Sequence, residues 1–161
     1  MSNGLLAFTL FHTAISLVAI VAGFVVVWGF IGSRKLKTWT DWFLVTTAAT
    51  SITGFFFPFH GIKPAHIVGI LALLILIPTV LAYRRQMAGH WRWIFVLGSV
   101  VSLYLNFFVL IVQAFQKVPA LHALAPTQSE PPFQGAQIAA LVFFIVLGVL
   151  SLRRFRVVAV A

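Results

Sequence analysis

The sequence contains no cysteine and only two acidic residues among its 161 positions. Without cysteine the chain can form no disulfide, no thiolate nucleophile and no cysteine-ligated metal site. The two acids, Asp41 and Glu130, lie far apart in the sequence, outside the middle of any apolar stretch. We therefore expect neither a carboxylate pair for acid–base catalysis nor a proton path through buried acids.

Charge of either sign is scarce, and apolar residues dominate. Charged residues make up 8% of the chain and hydrophobic residues 61%, and the mean hydropathy is +1.08, which indicates an integral membrane protein. Long apolar stretches cover about residues 5–31, 41–59, 64–83, 92–118 and 135–152. Since each is long enough to cross a bilayer as a helix, the sequence predicts an all-α bundle of five transmembrane helices in one domain, 1–161.

The basic residues predict the orientation of the bundle. Two of them, Lys63 and Lys117, fall on one side of the predicted membrane, and nine fall on the other: Arg34, Lys35, Lys37, Arg84, Arg85, Arg92, Arg153, Arg154 and Arg156. The positive-inside rule therefore places the N-terminus outside and the C-terminus inside. The net charge of +9 is then a topology signal that also attracts anionic lipid, and no nucleic-acid partner is expected. The first stretch has its positive charges after it, which favours a retained helix over a cleaved signal peptide.

Two local predictions concern the connections between helices. Residues 119–134 contain four prolines and predict a stiff, extended connector on the outer side with no helix of its own. Asp41 follows a basic loop at the start of the second stretch, and we interpret it as a helix-start residue that complements the helix dipole.

Histidine is the residue type left for chemistry. The segment FFFPFHGIKPAH, residues 55–66, places His60 and His66 on either side of a tight turn. His122 lies in the outer connector, and His12 lies roughly 10 Å below the outer end of the first helix. His12 shares a face with small residues, which mark close helix packing, so we expect it to face the bundle. Gln113 lies at a comparable depth on the fourth helix and is a candidate hydrogen-bond partner.

Several functions fit this pattern, and the sequence leaves open whether any reaction is catalysed. His12 with His60 or His66, beside Gln113 and walled by Phe11 and the phenylalanines of 55–59, could hold haem b for electron transfer. A copper or zinc site built from His12, His60, His66 and His122 is the closest alternative. A third interpretation has no cofactor: His12 is hydrogen-bonded to Gln113 and the protein is an accessory or scaffold subunit that packs against membrane-protein partners. A quinone-binding or small-solute transport site is the fourth.

A resemblance covers nearly the whole chain. Residues 104–133, YLNFFVLIVQAFQKVPALHALAPTQSEPPF, together with FFFPFH at 55–60, resemble an uncharacterised family of small bacterial inner-membrane proteins with five predicted transmembrane helices. The resemblance implies a location in the bacterial inner membrane and implies no activity.

Overall fold

The structure, a computed structural model, describes residues 3–57 and 64–156. These residues form helices and no strand. The helices are α1 (Asn3–Ile31), α2 (Lys37–Thr53), α3 (Pro64–Arg84), α4 (Trp91–Lys117), α5 (Pro119–Leu124) and α6 (Pro131–Arg154), and a single 3₁₀ turn (Gly54–Phe56) follows α2. The all-α class is therefore confirmed.

Four of these helices are long and apolar enough to cross a membrane: α1, α3, α4 and α6. Their outward faces carry large hydrophobic side chains, such as Trp28, Ile77 and Ile138, which are 76%, 66% and 61% exposed. A soluble protein rarely leaves contiguous apolar surface of this kind unburied, whereas a bilayer solvates it. The chain is a multi-pass membrane protein.

Helix α4 is the centre of the bundle. It packs against α1, α3, α5 and α6, while α2 packs between α1 and α3. At Gly23 on α1 the neighbouring helices approach so closely that an added Cβ would lie 2.6 Å from Leu103 Cδ1 and 2.8 Å from Phe43 Cε2. Gly98 likewise lets α4 approach α3 closely, because an added Cβ would clash with the Thr79 side chain. Glycine thus brings helix backbones together, as in other membrane bundles.

The three basic segments meet at one end of the bundle, here called the basic end. Arg92 Nη1 at the start of α4 donates to the carbonyl oxygens of Leu152 and Phe155 at the end of α6, at 3.1 and 2.7 Å. The loop after α1 joins this contact, because Ser33 Oγ accepts a 3.0 Å hydrogen bond from the backbone N–H of Arg156. The charged guanidinium satisfies carbonyls that the last turn of a helix leaves without partners.

Helix α2 begins at Lys37 rather than Asp41, and this corrects the interpretation of Asp41. The carboxylate lies one turn inside the helix, where Oδ2 accepts a 2.7 Å bond from Lys37 Nζ and Oδ1 a 2.8 Å bond from Tyr83 Oη. Asp41 therefore ties α2 to α3 instead of capping the helix start. The sequence could not reveal this, because Tyr83 is 42 residues away.

The connector at 119–134 was predicted without a helix, and this prediction is wrong. Residues Pro119–Leu124 form α5, and α6 begins at Pro131. In both helices proline occupies the first turn, where its missing N–H removes no helical bond and its fixed φ favours the helix. Three of the four prolines that suggested an extended segment are at helix starts, and Pro126 lies in the turn between α5 and α6.

Candidate functional site

The N-terminal half of α1, the end of α2 and the start of α3 meet at the opposite end of the bundle, here called the histidine end. His12 and His66 lie there, both half-buried. His60 falls outside the described residues, so its part in any site stays a prediction.

His12 lies against α2, as the small-residue face of α1 predicted. Its Nδ1 is 2.8 Å from Thr53 Oγ1, and its Cε1 would be 3.8 Å from a Cβ added at Gly54. The ring of Phe57 meets the imidazole edge-on, with 5.0 Å between ring centroids. The imidazole therefore lies beside the 3₁₀ turn, between Gly54 and the ring of Phe57.

The hydroxyl of Thr53 lies between His12 and the backbone of its own helix. Thr53 Oγ1 is 2.7 Å from Ala49 O and 3.3 Å from Thr50 O, and a hydroxyl has one proton to donate. When that proton goes to Ala49 O, the 2.8 Å contact is donated by His12 Nδ1–H, and the neutral ring then has its lone pair on Nε2. That lone pair is the form of imidazole that binds a metal.

Aromatic rings surround the two histidines. Phe8, one turn before His12, packs on Phe57 with 4.9 Å between centroids. Phe55 lies 6.1 Å from the His66 ring and against Gly69, whose added Cβ would be 3.2 Å from Phe55 Cζ. Each histidine therefore has its own phenylalanine from the 55–57 segment. Phe11, which the sequence suggested as a wall beside His12, is instead 57% exposed on the outside of α1.

Two other candidate residues lie at the histidine end without joining His12. Gln113 is half-buried on α4, but the hydrogen-bond partner of His12 is Thr53. The expected pairing is replaced because α1 packs more extensively against α2, which carries Thr53, than against α4. His122 lies exposed on α5. Within 3–57 and 64–156, no three histidine or acidic side chains are grouped so that they could share a metal ion. Since His60 is not described, the four-histidine copper or zinc site remains a prediction.

Glu130 closes the connector that leads into α6. Its carboxylate accepts hydrogen bonds from Thr127 Oγ1 at 2.8 Å and from the backbone N–H groups of Thr127 and Ser129 at 3.1 and 3.0 Å. Desolvation raises the pKa of this carboxyl, but the hydrogen bonds outweigh it and hold the pKa below its usual value. These bonds assign Glu130 a structural role in the connector, away from His12.

Thr53 and Phe8 are the site residues that sequence reasoning missed. Phe8 was detectable, because it lies four residues before His12 and so on the same face of α1. Thr53 had a weaker signal, as one of several threonines on α2. No family model, curated protein or solved structure matches this chain, so the assignment of a function depends on this geometry.

Proposed function

We propose that the protein is an inner-membrane electron-transfer protein that binds haem b at the histidine end, where His12 would be one of the residues that hold it. The observation that carries the proposal is the contact between His12 Nδ1 and Thr53 Oγ1 at 2.8 Å. Axial and metal-bound histidines generally donate their second ring N–H to a neighbouring oxygen, which fixes the ring and directs the other nitrogen at the metal. Thr53 supplies that oxygen.

The proposal includes a fifth membrane span. Helix α2 has 17 residues, roughly 26 Å at the usual rise per residue, and the 3₁₀ turn adds about 6 Å. Together they approach the ~30 Å thickness of the hydrocarbon layer. Five spans put the two chain ends on opposite faces, and the positive-inside rule then assigns the basic end to the cytoplasm and the histidine end to the periplasm.

His66 on α3 is the candidate for a second residue that would hold haem among the described residues, with His60 as the other. Phe8, Phe55 and Phe57 would supply apolar contacts to a macrocycle. The chain would contribute imidazole side chains, of which that of His12 is oriented by its contact with Thr53. Haem, when bound, would supply the one-electron chemistry.

The test is the absorption spectrum and metal content of the purified full-length protein. We expect a Soret band and stoichiometric iron, both lost in His12→Ala. Thr53→Val removes the oxygen that accepts from His12 at nearly constant volume and should weaken haem binding by about 10–100-fold. Thr53→Ser keeps the oxygen and is the matched control, so it should bind haem like the unmodified chain.

A colourless, metal-free preparation that gains no Soret band on haem addition would refute the proposal. A haem-binding protein in which Thr53→Val behaves like Thr53→Ser would refute the role of Thr53 alone. If copper or zinc is found in place of iron, the histidine end holds a bare metal ion.

A second candidate, a quinol site, is favoured by the ring contacts of the two histidines. Since His12 and His66 contact different phenylalanines, His12 with Phe8 and Phe57 forms a smaller aromatic site. A lone pair on Nε2 accepts a hydrogen bond from a hydroxyl of a reduced quinone. A quinone that co-purifies with the unmodified protein and is absent from His12→Ala would support this function over haem binding.

A further inference from the structure

A groove runs between α3 and α4 in the half of the bundle nearest the basic end. It has a volume of about 320 Å³, is open to the surroundings, and is lined by residues that include Leu74, Pro78, Trp93, Leu97 and Val101. The hydroxyl of Thr79 at its floor donates to Ile75 O at 2.7 Å and so presents no free donor. The groove is therefore an apolar depression in the outer surface of α3 and α4.

A cationic side chain follows the end of α3, beyond the residues that line the groove. Arg85 comes seven residues after Pro78 and eleven after Leu74, so a continued helical pattern puts it on the same face as these two groove residues. The helical pattern reaches Arg85, because its backbone N–H donates to Leu81 O at 2.9 Å. The guanidinium is held over the ring of Trp91, with Cζ 5.5 Å from the ring centroid. Arg84 lies exposed beside it.

No acidic side chain of the protein neutralises this pair of arginines. The sequence has two carboxylate side chains. Asp41 is bonded to Lys37 and Tyr83, and Glu130 is bonded within its own connector. Neither carboxylate side chain is therefore paired with Arg84 or Arg85, and both arginines are exposed to an external anion. Lipid phosphates are the anions concentrated at a membrane surface.

We propose that the groove and Arg85 form a binding site for one anionic glycerophospholipid. An acyl chain lies along Leu74, Leu97 and Val101, where it buries apolar surface. The headgroup phosphate pairs with the Arg85 guanidinium, which suits phosphate geometry and is held in place by Trp91. Arg84 adds positive charge beside it. The site is independent of haem or quinol binding, since it lies at the opposite end of the bundle.

Trp93 provides the readout, because it lines the groove and is 49% exposed. The full-length protein is placed in phosphatidylcholine vesicles that contain a minor fraction of either brominated phosphatidylglycerol or brominated phosphatidylcholine. Bromine quenches tryptophan at contact, and the Trp93→Phe variant gives the signal of the other four tryptophans. We expect brominated phosphatidylglycerol to quench Trp93 more strongly than brominated phosphatidylcholine at the same fraction.

Arginine variants distinguish lipid binding at this site from a general attraction of anionic lipid to the basic end. Arg85→Gln should lower the relative affinity for phosphatidylglycerol by about fivefold, and Arg85→Lys should retain most of the preference. Arg153→Gln removes an exposed cation from α6 at the same end and is the matched control, with no change expected. Equal losses in Arg85→Gln and Arg153→Gln would overturn the proposal, as would equal quenching by the two brominated lipids.

Two further measurements test the acyl-chain part of the site. Leu97→Phe adds volume inside the groove without changing charge, and it should reduce quenching of Trp93 by brominated phosphatidylglycerol. Inorganic phosphate, which has no acyl chain, should not compete with the lipid. Displacement of the lipid by inorganic phosphate, or unchanged quenching in Leu97→Phe, would contradict binding along the groove.

Discussion

Replacing Gly98 by alanine tests how closely α3 and α4 pack. An added Cβ would lie 1.9 Å from Thr79 Oγ1 and 3.0 Å from Thr79 Cβ, far inside van der Waals contact. Thr79 cannot move away easily, because it is fully buried, β-branched and bonded to Ile75 O. Overpacking of this kind costs about 1–3 kcal/mol, and the better helix propensity of alanine returns roughly 0.5–1 kcal/mol. The middle of these ranges gives an expected net loss of about 1 kcal/mol in the free energy of unfolding, with an upper bound of about 2.5 kcal/mol.

The assay is reversible unfolding in mixed micelles, followed by circular dichroism as the fraction of denaturing detergent increases. Gly135→Ala is one control, since nothing lies within 4 Å of its added Cβ, and Gly148→Ala is another, with an ordinary contact of 3.6 Å to Val100 Cγ1. Neither control should be less stable than the unmodified protein.

A second substitution identifies Thr79 as the cause. Thr79→Ala removes the hydroxyl that clashes, so the double variant Gly98→Ala/Thr79→Ala should recover most of the stability lost in Gly98→Ala. The two changes should therefore be non-additive by about 1 kcal/mol or more. If Gly98→Ala is as stable as Gly135→Ala, the close approach of α3 and α4 described here is incorrect.

Two further predictions concern side chains at opposite ends of the bundle. Arg92→Gln should lower the free energy of unfolding by about 1.5–3 kcal/mol, because it removes a charged donor from two carbonyls at the end of α6. The control is Arg154→Gln, which changes an exposed arginine of the same region. It should have little effect in the same unfolding assay. Glu130 should make the connector sensitive to acid: its pKa is lowered in the folded protein, so its contribution to stability is complete above the usual glutamate pKa and is lost as the pH falls through the lowered value. The measurement is amide hydrogen exchange at Thr127 and Ser129, corrected for the intrinsic effect of pH on the exchange rate. The corrected protection of both amides should be greater at neutral pH than in acid. In Glu130→Gln the protection should not change with pH.

Helix composition made most of the fold predictable, and the errors fall at the helix ends. Predicted and observed boundaries agree closely for α1, α3 and α4, where long apolar runs leave a bilayer-spanning helix as the one way to satisfy the backbone. The sequence misplaced the starts of α2 and α6, extended α2 past its end at Thr53 and missed α5. At the misplaced starts, proline and charged residues begin helices rather than interrupt them.

The sequence indicated some of the residues of the candidate site, but it did not indicate which side chains contact one another there. The position of His12 on the small-residue face of α1 correctly indicated that it faces a neighbouring helix. Its partner, Thr53, could not be chosen from sequence, since it lies 41 residues away and competes with other polar side chains of similar depth. The exposure of Phe11 and the contact of Phe8 with Phe57 likewise depend on how α1 is rotated against α2.

The sequence by itself determined that the chain is an all-α membrane protein whose basic residues collect at one end, because the bilayer leaves apolar segments few alternatives and loop charges alternate with the helices. Tertiary structure alone decided which side chains meet: Asp41 with Tyr83, Arg92 with the end of α6, and His12 with Thr53. Each of these contacts depends on the rotation and approach of separate helices, which are set by packing at residues such as Gly23 and Gly98 and are not encoded in any local pattern.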